Sequence, residues 1–309
     1  MLCFVQLTAF YSYANENILK IGVLTKPDTL DPHRLNTGNN IMLSSIIFDQ
    51  MGYSKAGQRL FSQGLSKSVQ LVSAQENTWE ISIHKGITFH DGHELTSEDV
   101  AFTINRIKQL PDSDFSFKPY VEPILEVKVK SLHTIRLKLK PGYSEFHGDL
   151  SKIFILPAHL EHSDSTDTFD VGKSAIGTGT YRIRDVGENK NTISLEHYKN
   201  NWRNQDGIRH IELIHFPDAQ KRFHALLQNE IHVADKLSPQ QLSMLEEKGY
   251  NTLKRPSTRM VFLQLDTHRD ISPFITDKFN SPLKTNPLKS LKVRQAMSLA
   301  LDRDTLQKR

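Results

Sequence analysis

The stretch FHDGHELTSEDVAFTINRIK, residues 89–108, fixes more of the fold than any other run in this chain. It holds a turn, a helix start and a buried helix face without interruption. Asp91-Gly92 is a turn dipeptide, because Gly takes up positive φ at no steric cost. Thr96 is a good N-cap, and Asp99 stands three residues on, where its carboxylate can return a bond to the cap's own N–H. Leu95 and Val100 flank the cap as a hydrophobic staple. Val100, Ile104 and Ile107 then recur at helical spacing, and Glu98 and Asp99 in the first turn suit the helix dipole. Pro111 closes the helix. Every carboxylate here therefore has a structural task. His90 and His93 sit on a turn rather than on one helix face, and no HExxH is present. A zinc site would need a third protein ligand. HLEH at residues 159–162 could be proposed as a donor, but the sequence alone does not place its partners. The two histidines are read as turn residues, with no metal site expected.

Alternation supplies the next constraint. Trp79, Ile81 and Ile83 alternate with Glu80, Ser82 and His84, which predicts a half-buried strand. Leu125, Val127 and Val129 alternate with charged residues, and Ile135, Leu137 and Leu139 do so after a turn at Ser131, Leu132 and His133. That is a β-hairpin with one wet face. Upstream, residues 18–24 read as a buried first strand, followed by a turn-rich loop and a helix over IMLSSIIFDQM. From Thr180 onward strands alternate with capped helices. Tyr181 and Ile183, then Ile193 and Leu195, flank a Gly187-Glu188-Asn189 turn, and Ile211 and Leu213 mark a further strand. Pro217-Asp218 opens a helix, and Ile231 and Val233 mark a short strand. SPQQLSMLEEKG is a complete short helix, capped by Ser238, boxed by Gln241 and stopped by Gly249. MVFLQL, residues 260–265, is apolar on both faces, as a central covered strand is. Val293, Met297, Ala300 and Leu301 form one stripe of a last helix. The whole reads as an α/β protein with an inserted antiparallel piece.

With 309 residues, 38% hydrophobic and 24% charged, the chain is in the ordinary globular range and long enough for two domains. The net charge of +4 is not gathered into a basic block interleaved with aromatics, so no nucleic-acid partner is expected. The single cysteine, Cys3, excludes a disulfide framework. It lies in MLCFVQLTAFY, which is too short to span a bilayer. Ser12-Tyr13-Ala14 then places small residues at −3 and −1 of a cleavage point before Asn15. Residues 1–14 are read as a signal-peptide remnant lacking its basic start, with a buried N-terminal strand as the bland alternative. An exported, periplasmic protein is the expectation. There is no G-x-S-x-G, and the GTG at residues 177–179 precedes no phosphate-binding helix. A hydrolase is therefore the remote alternative, with no catalytic residue named.

The run at residues 89–107 resembles the signature of family 5 bacterial solute-binding proteins, the oligopeptide-, dipeptide- and nickel-binding proteins of ABC importers. TLDPHRL at residues 29–35 resembles the family's early LDP loop. AIGTGTYRIRDVGENKNTISLEHYKNNW at 175–202 resembles its GTGPY strand and the segment after it, with Thr180 in place of the usual Pro. FPDAQKRFHALLQNEIHVAD at 216–235 and LKVRQAMSLALDRDTL at 291–306 resemble two further family helices, with Asn229 in the first where Gly is usual. These matches run in family order along the chain.

The resemblance implies a periplasmic-binding-protein type α/β fold (two-lobe, class II) with an inserted hairpin-rich subdomain. Residues 18–48 and 172–259 would form lobe one and 49–171 the insertion. Residues 260–309 would be the hinge strand and the start of a lobe two that is otherwise largely missing. The implied function is binding a short peptide or similar small solute for a membrane permease of an ABC transporter, with no enzyme activity and no cofactor. The folded protein is expected to be a monomer. A nickel chelate, haem or glutathione as ligand remains open, as does a non-functional gene fragment that binds peptides weakly and aggregates. Candidate ligand-binding residues are Asn36, Thr37 and Gly38 after the first strand, Tyr120 in the insertion, and Thr258, Arg259 and Met260 entering the hinge strand.

Overall fold

The structure is a computed structural model and describes residues 18–54, 61–162, 166–204, 206–254 and 262–307. The expected cleavage point at Ala14 lies outside the described residues, as do Thr258, Arg259 and Met260. The chain divides into two compact units, residues 1–237 and 238–309. No helix among the described residues is long and apolar enough to cross a membrane.

The first unit begins with β1 (Ile18–Val23) and α1 (Gly38–Ile47), then a short ribbon of β2 (Gly52–Ser54) and β3 (Phe61–Gln63). Strands β4 (Ser66–Ser73) and β5 (Thr78–Ile83) lead to helices α2 (Ser97–Gln109) and α3 (Lys118–Val121). The hairpin β6 (Ile124–Ser131) and β7 (Thr134–Leu139) precedes two short helices, α4 (Phe146–Leu150) and α5 (Thr166–Asp170). Then come β8 (Tyr181–Val186), β9 (Thr192–His197), β10 (His210–His215), α6 (Ala219–Leu227) and β11 (Val233–Ala234).

Two main sheets result. The first has the order β11-β1-β10-β9-β8, with β1 parallel to both neighbours and β9 antiparallel to both of its own. The second is an antiparallel sheet in the order β4-β5-β7-β6. Each sheet has its own core. Leu43 and Ile47 of α1 pack with Ile193, Leu195 and Leu213 of the first sheet. Val100, Ile104 and Ile107 of α2 pack with Ile81, Ile135 and Leu137 of the second.

Helix α2 starts where the sequence places it. The Asp99 carboxylate accepts from Thr96 N at 2.7 Å and from Thr96 Oγ1 at 2.9 Å, within a capping box. Its other oxygen accepts from Ala158 N at 2.7 Å, so the cap also anchors a distant segment. Thr96→Ala is expected to lower the urea-unfolding free energy by about 0.5–2 kcal/mol, the usual worth of an N-cap. Trp79 fluorescence would follow it, and an unchanged midpoint would show that this cap carries no stability.

Two expectations need correction. Leu125 is not on the buried face of β6 but 54% exposed, while Ile124 is buried. The register shifts between Ile124 and Glu126, and a bulge there turns the strand by one residue before Val127 and Val129 face the core. The second correction lies in the other unit. Of the strand expected at residues 260–265, the described part forms no strand, and Phe262 and Leu263 are 69% and 63% exposed. A strand apolar on both faces needs neighbours to pair with and two layers to cover it. The described residues of this unit provide neither.

That unit holds α7 (Pro239–Glu247), α8 (Leu291–Ala300) and α9 (Arg303–Gln307). In α7 the box is as expected: Ser238 N donates to Gln241 Oε1 at 2.9 Å, Gln241 N donates back to Ser238 Oγ, and Gly249 has φ +82°. Helix α8 buries no residue, and Met297 and Leu301 line an open apolar hollow with Phe262, Leu263 and Leu306.

Candidate functional site

Because β1, β10 and β11 are parallel, Val23, His215 and Ala234 end on one side of the first sheet. In open α/β sheets that side holds the ligand crevice. One buried cation braces it. Arg222 of α6 is fully buried, and its guanidinium donates to the carbonyls of Asp235 at 2.9 Å and Lys236 at 3.1 Å, and to that of Phe216. Asp235 Oδ1 in turn accepts from Leu24 N at 2.7 Å. The chain exits of all three parallel strands are thereby tied together. Lys236 takes a left-handed φ of 47°, an uncommon conformation for a non-glycine residue.

The loop from Leu24 to Thr37 forms the rest of the rim. Thr25 Oγ1 donates to Asn39 Oδ1 at 2.7 Å, and Asp28 N donates to Asn40 Oδ1 at 2.9 Å. Further on, Thr29 Oγ1 and Leu30 N both donate to Asp170 Oδ1. The strongest anchor is Asp31. Arg106 of α2 donates to both of its oxygens, at 3.1 and 2.7 Å, with the two side chains only 2–3% exposed. Burial opposes the Asp31 charge, but the Arg106 hydrogen bonds and charge outweigh it and hold the carboxyl below the usual range. His33 joins them: Nδ1 lies 3.0 Å from Arg106 and Nε2 lies 2.7 Å from the Phe154 carbonyl. Burial first, and the Arg106 charge second, push its pKa down to about 4. His33 is therefore neutral at pH 7, with Nδ1 accepting and Nε2–H donating.

Against this frame two candidate residues meet. Asn36 Nδ2 donates to the Tyr120 hydroxyl at 2.7 Å, and Asn36 N donates to the Phe115 carbonyl at 2.8 Å. Residues expected from two separate segments are thus in direct contact. Thr37 is the N-cap of α1 without making a side-chain cap bond, and its buried hydroxyl has no partner among the described residues. Gly38 opens the helix and is exposed. Thr25, Arg222 and Lys236 were not picked out by sequence. The available signal for Arg222 was its place four residues before Leu226, in line with the apolar stripe of α6.

The GTG at residues 177–179 has a structural reason. A Cβ at Gly177 would come within 2.1 Å of the Ile47 carbonyl, and one at Gly179 within 2.4 Å of the Ile46 carbonyl. Both glycines allow the backbone to close on the end of α1, where Gly179 N donates to Ile47 O at 2.8 Å.

The α/β fold is of the periplasmic-binding-protein type. The pattern of the bacterial extracellular solute-binding proteins, family 5 (middle), matches residues 61–309, and the chain belongs to that family. It is 24% identical over 304 residues to the dipeptide-binding protein of Escherichia coli (strain K12), covering 91% of this chain and 53% of that one. It is 25% identical over 272 residues to the glutathione-binding protein GsiB of Pectobacterium atrosepticum, covering 82% and 48%. Among solved structures, NikZ from Campylobacter jejuni in complex with Ni(L-His) has a TM-score of 0.70 at 19% identity, over 95% of this chain and 55% of that one. AppA from Bacillus subtilis in complex with a nonapeptide has a TM-score of 0.66 at 19% identity, over 74% and 46%. The chain spans about half the length of the curated relatives it matches.

Proposed function

We propose that this chain belongs to the extracytoplasmic solute-binding component of an ABC importer and that its solute is a short peptide. The observation that carries the reading is the rim at the carboxyl ends of β1, β10 and β11. There a polar Asn36–Tyr120 pair and a Thr37 hydroxyl with no partner among the described residues flank the start of α1. Peptides carry main-chain donors and acceptors along their whole length, and such groups need polar partners when they leave water. Asn36, Thr37, Gly38 and Tyr120 are the proposed contacts here, joined by Thr25 and Lys236, and Thr258, Arg259 and Met260 remain proposed contacts outside the described residues. In this reading residues 18–48 and 172–259 act as one lobe, with 49–171 inserted, and the partner is a membrane permease. The family name and the dipeptide- and oligopeptide-binding relatives support it.

Saturation-transfer NMR suits the weak binding expected of an open rim. Transfer to di- to pentapeptides is expected, and to be lost when Asn36→Ala is combined with Tyr120→Phe. Transfer to glutathione or to a nickel–histidine complex, with none to any peptide, would replace the peptide by that solute. No transfer to any of the three would remove the function from this chain.

A further inference from the structure

The turn at the start of the signature stretch and the segment near residue 159 are far apart in sequence but adjacent in space. Asp91 Oδ2 lies 3.1 Å from His93 Nδ1 and 2.9 Å from His159 Nε2. The two imidazole rings are 4.4 Å apart between centroids. All three donor atoms fall within 4.8 Å of one another. His159 of HLEH therefore stands beside His93 and Asp91, whereas His90 is buried and bonded to Gly177 and Gly179 and takes no part in the cluster.

We propose that Asp91, His93 and His159 form a surface site for one divalent transition-metal ion of the Zn2+ type. Two imidazole nitrogens and one carboxylate oxygen are the donor set that borderline ions prefer over Mg2+ or Ca2+. Around Zn2+, ligand bonds of about 2.0–2.2 Å place tetrahedral neighbours roughly 3.3 Å apart. The two separations to Asp91 already match. The two histidine nitrogens need to close by no more than about 1.5 Å to reach the same spacing. Their side chains are 66% and 39% exposed, which leaves the rings room for that adjustment.

The supporting contacts hold the ligands in place. His93 N donates to Asp91 Oδ1 at 3.1 Å, which orients the carboxylate and leaves Oδ2 toward the imidazoles. Phe89 N donates to the His93 carbonyl at 2.8 Å and Gly92 N to the Phe89 carbonyl at 3.0 Å, which closes the turn. On the other side Asp99 fixes Ala158 N, next to His159. Without an ion, each histidine can donate a ring N–H to Asp91. With the ion, His93 Nδ1 and His159 Nε2 present lone pairs, and each ring carries its proton on the other nitrogen. No net proton is released from neutral rings. Three protein ligands leave a position for water, and the ion would clamp the turn to the segment at Ala158–His162.

The test is calorimetric titration of ZnCl2 into the tag-free, chelator-stripped chain at pH 7.5. Saturable binding of one ion per chain is expected. His93→Ala, His159→Ala and Asp91→Asn are each expected to weaken it by at least about tenfold, the lower range for disturbing a metal site. His224→Ala, at an exposed residue of α6, should leave it unchanged. The three ligand variants change surface side chains, and their melting curves in EDTA should overlay the parent's. Absence of saturable binding, or binding that survives His93→Ala and His159→Ala, would overturn the site.

Discussion

Replacing Arg106 with alanine is expected to destabilise the first unit by about 3–5 kcal/mol, the cost of breaking a buried ion pair from one side. Asp31 would remain buried with both of its guanidinium donors removed. A carboxylate in that position either stays charged without a partner or takes up a proton, and both cost free energy. His33 would lose the donor at Nδ1 in the same step, and Phe169 the guanidinium that sits 5.1 Å from its ring centre. Since Asp31 anchors the loop that carries Asn36 and Thr37, the candidate crevice should loosen before the second sheet does. Urea unfolding gives the total loss. Hydrogen exchange should show residues 25–37 losing protection while β5 and β7 keep theirs. Asp31→Leu combined with Arg106→Met should recover much of the loss, because replacing both charges by apolar groups of similar size leaves nothing unpaired. A loss below about 1 kcal/mol for Arg106→Ala, the range of exposed pairs, would show that the pair is solvated in solution.

What the sequence made legible follows from the range of each interaction. The starts of α2, α6 and α7 were readable because cap and partner lie within three residues: Thr96 with Asp99, Asp218 with Gln220 and Lys221, Ser238 with Gln241. The β6–β7 hairpin was readable from alternation, but its bulge was not, because the register shift depends on how β6 meets β7 and the core. The anchor at Asp31 crosses 75 residues to Arg106, and neither a cap motif nor strand alternation announces it. Its signal was present in another form. Asp99, Thr103 and Arg106 fall at i, i+4 and i+7 of α2, a polar stripe beside the apolar one, and all three are buried. They face a single segment. Asp99 takes Ala158 N, Thr103 exchanges bonds with Leu156, and Arg106 reaches the Phe154 carbonyl through His33. A polar stripe of that spacing next to a core stripe is a readable sign of buried pairing. Of the candidate site, Asn36 and Tyr120 were named from resemblance, while their contact is a product of the tertiary fold.

Lowering the pH from 7 to 4.5 is expected to remove several kcal/mol of stability, and two buried histidines account for most of it. His33 and His90 both have pKa values pushed down to about 4, by burial first in each case. Both are held as the same neutral tautomer. In His33, Nδ1 accepts from Arg106 and Nε2–H donates to the Phe154 carbonyl. In His90, Nδ1 accepts from Gly177 N at 3.2 Å and Nε2–H donates to the Gly179 carbonyl at 3.0 Å. Protonating Nδ1 would set one donor against another in either place. In the unfolded chain each histidine titrates near 6.5. Below that value the unfolded state binds protons that the folded state refuses, so stability falls as pH falls. It is fully present above about 6.5 and is lost progressively toward pH 4, at about 3 kcal/mol for each histidine by the linkage relation. His147, lowered by burial, adds in the same direction. Asp31 adds its own loss only further down, as its lowered carboxyl protonates. Urea midpoints at pH 7.5, 6.5, 5.5 and 4.5 test this, with proton uptake on unfolding reaching its maximum, a little under about two, near pH 5.3, midway between the folded and unfolded values. His33→Gln or His90→Gln keeps an acceptor and a donor but cannot titrate, so each should flatten the slope by about one proton while lowering stability at pH 7.5. A midpoint that stays constant from pH 7.5 to 4.5 would mean that both imidazoles can charge in place. The loop carrying Asn36 would then not depend on a neutral His33.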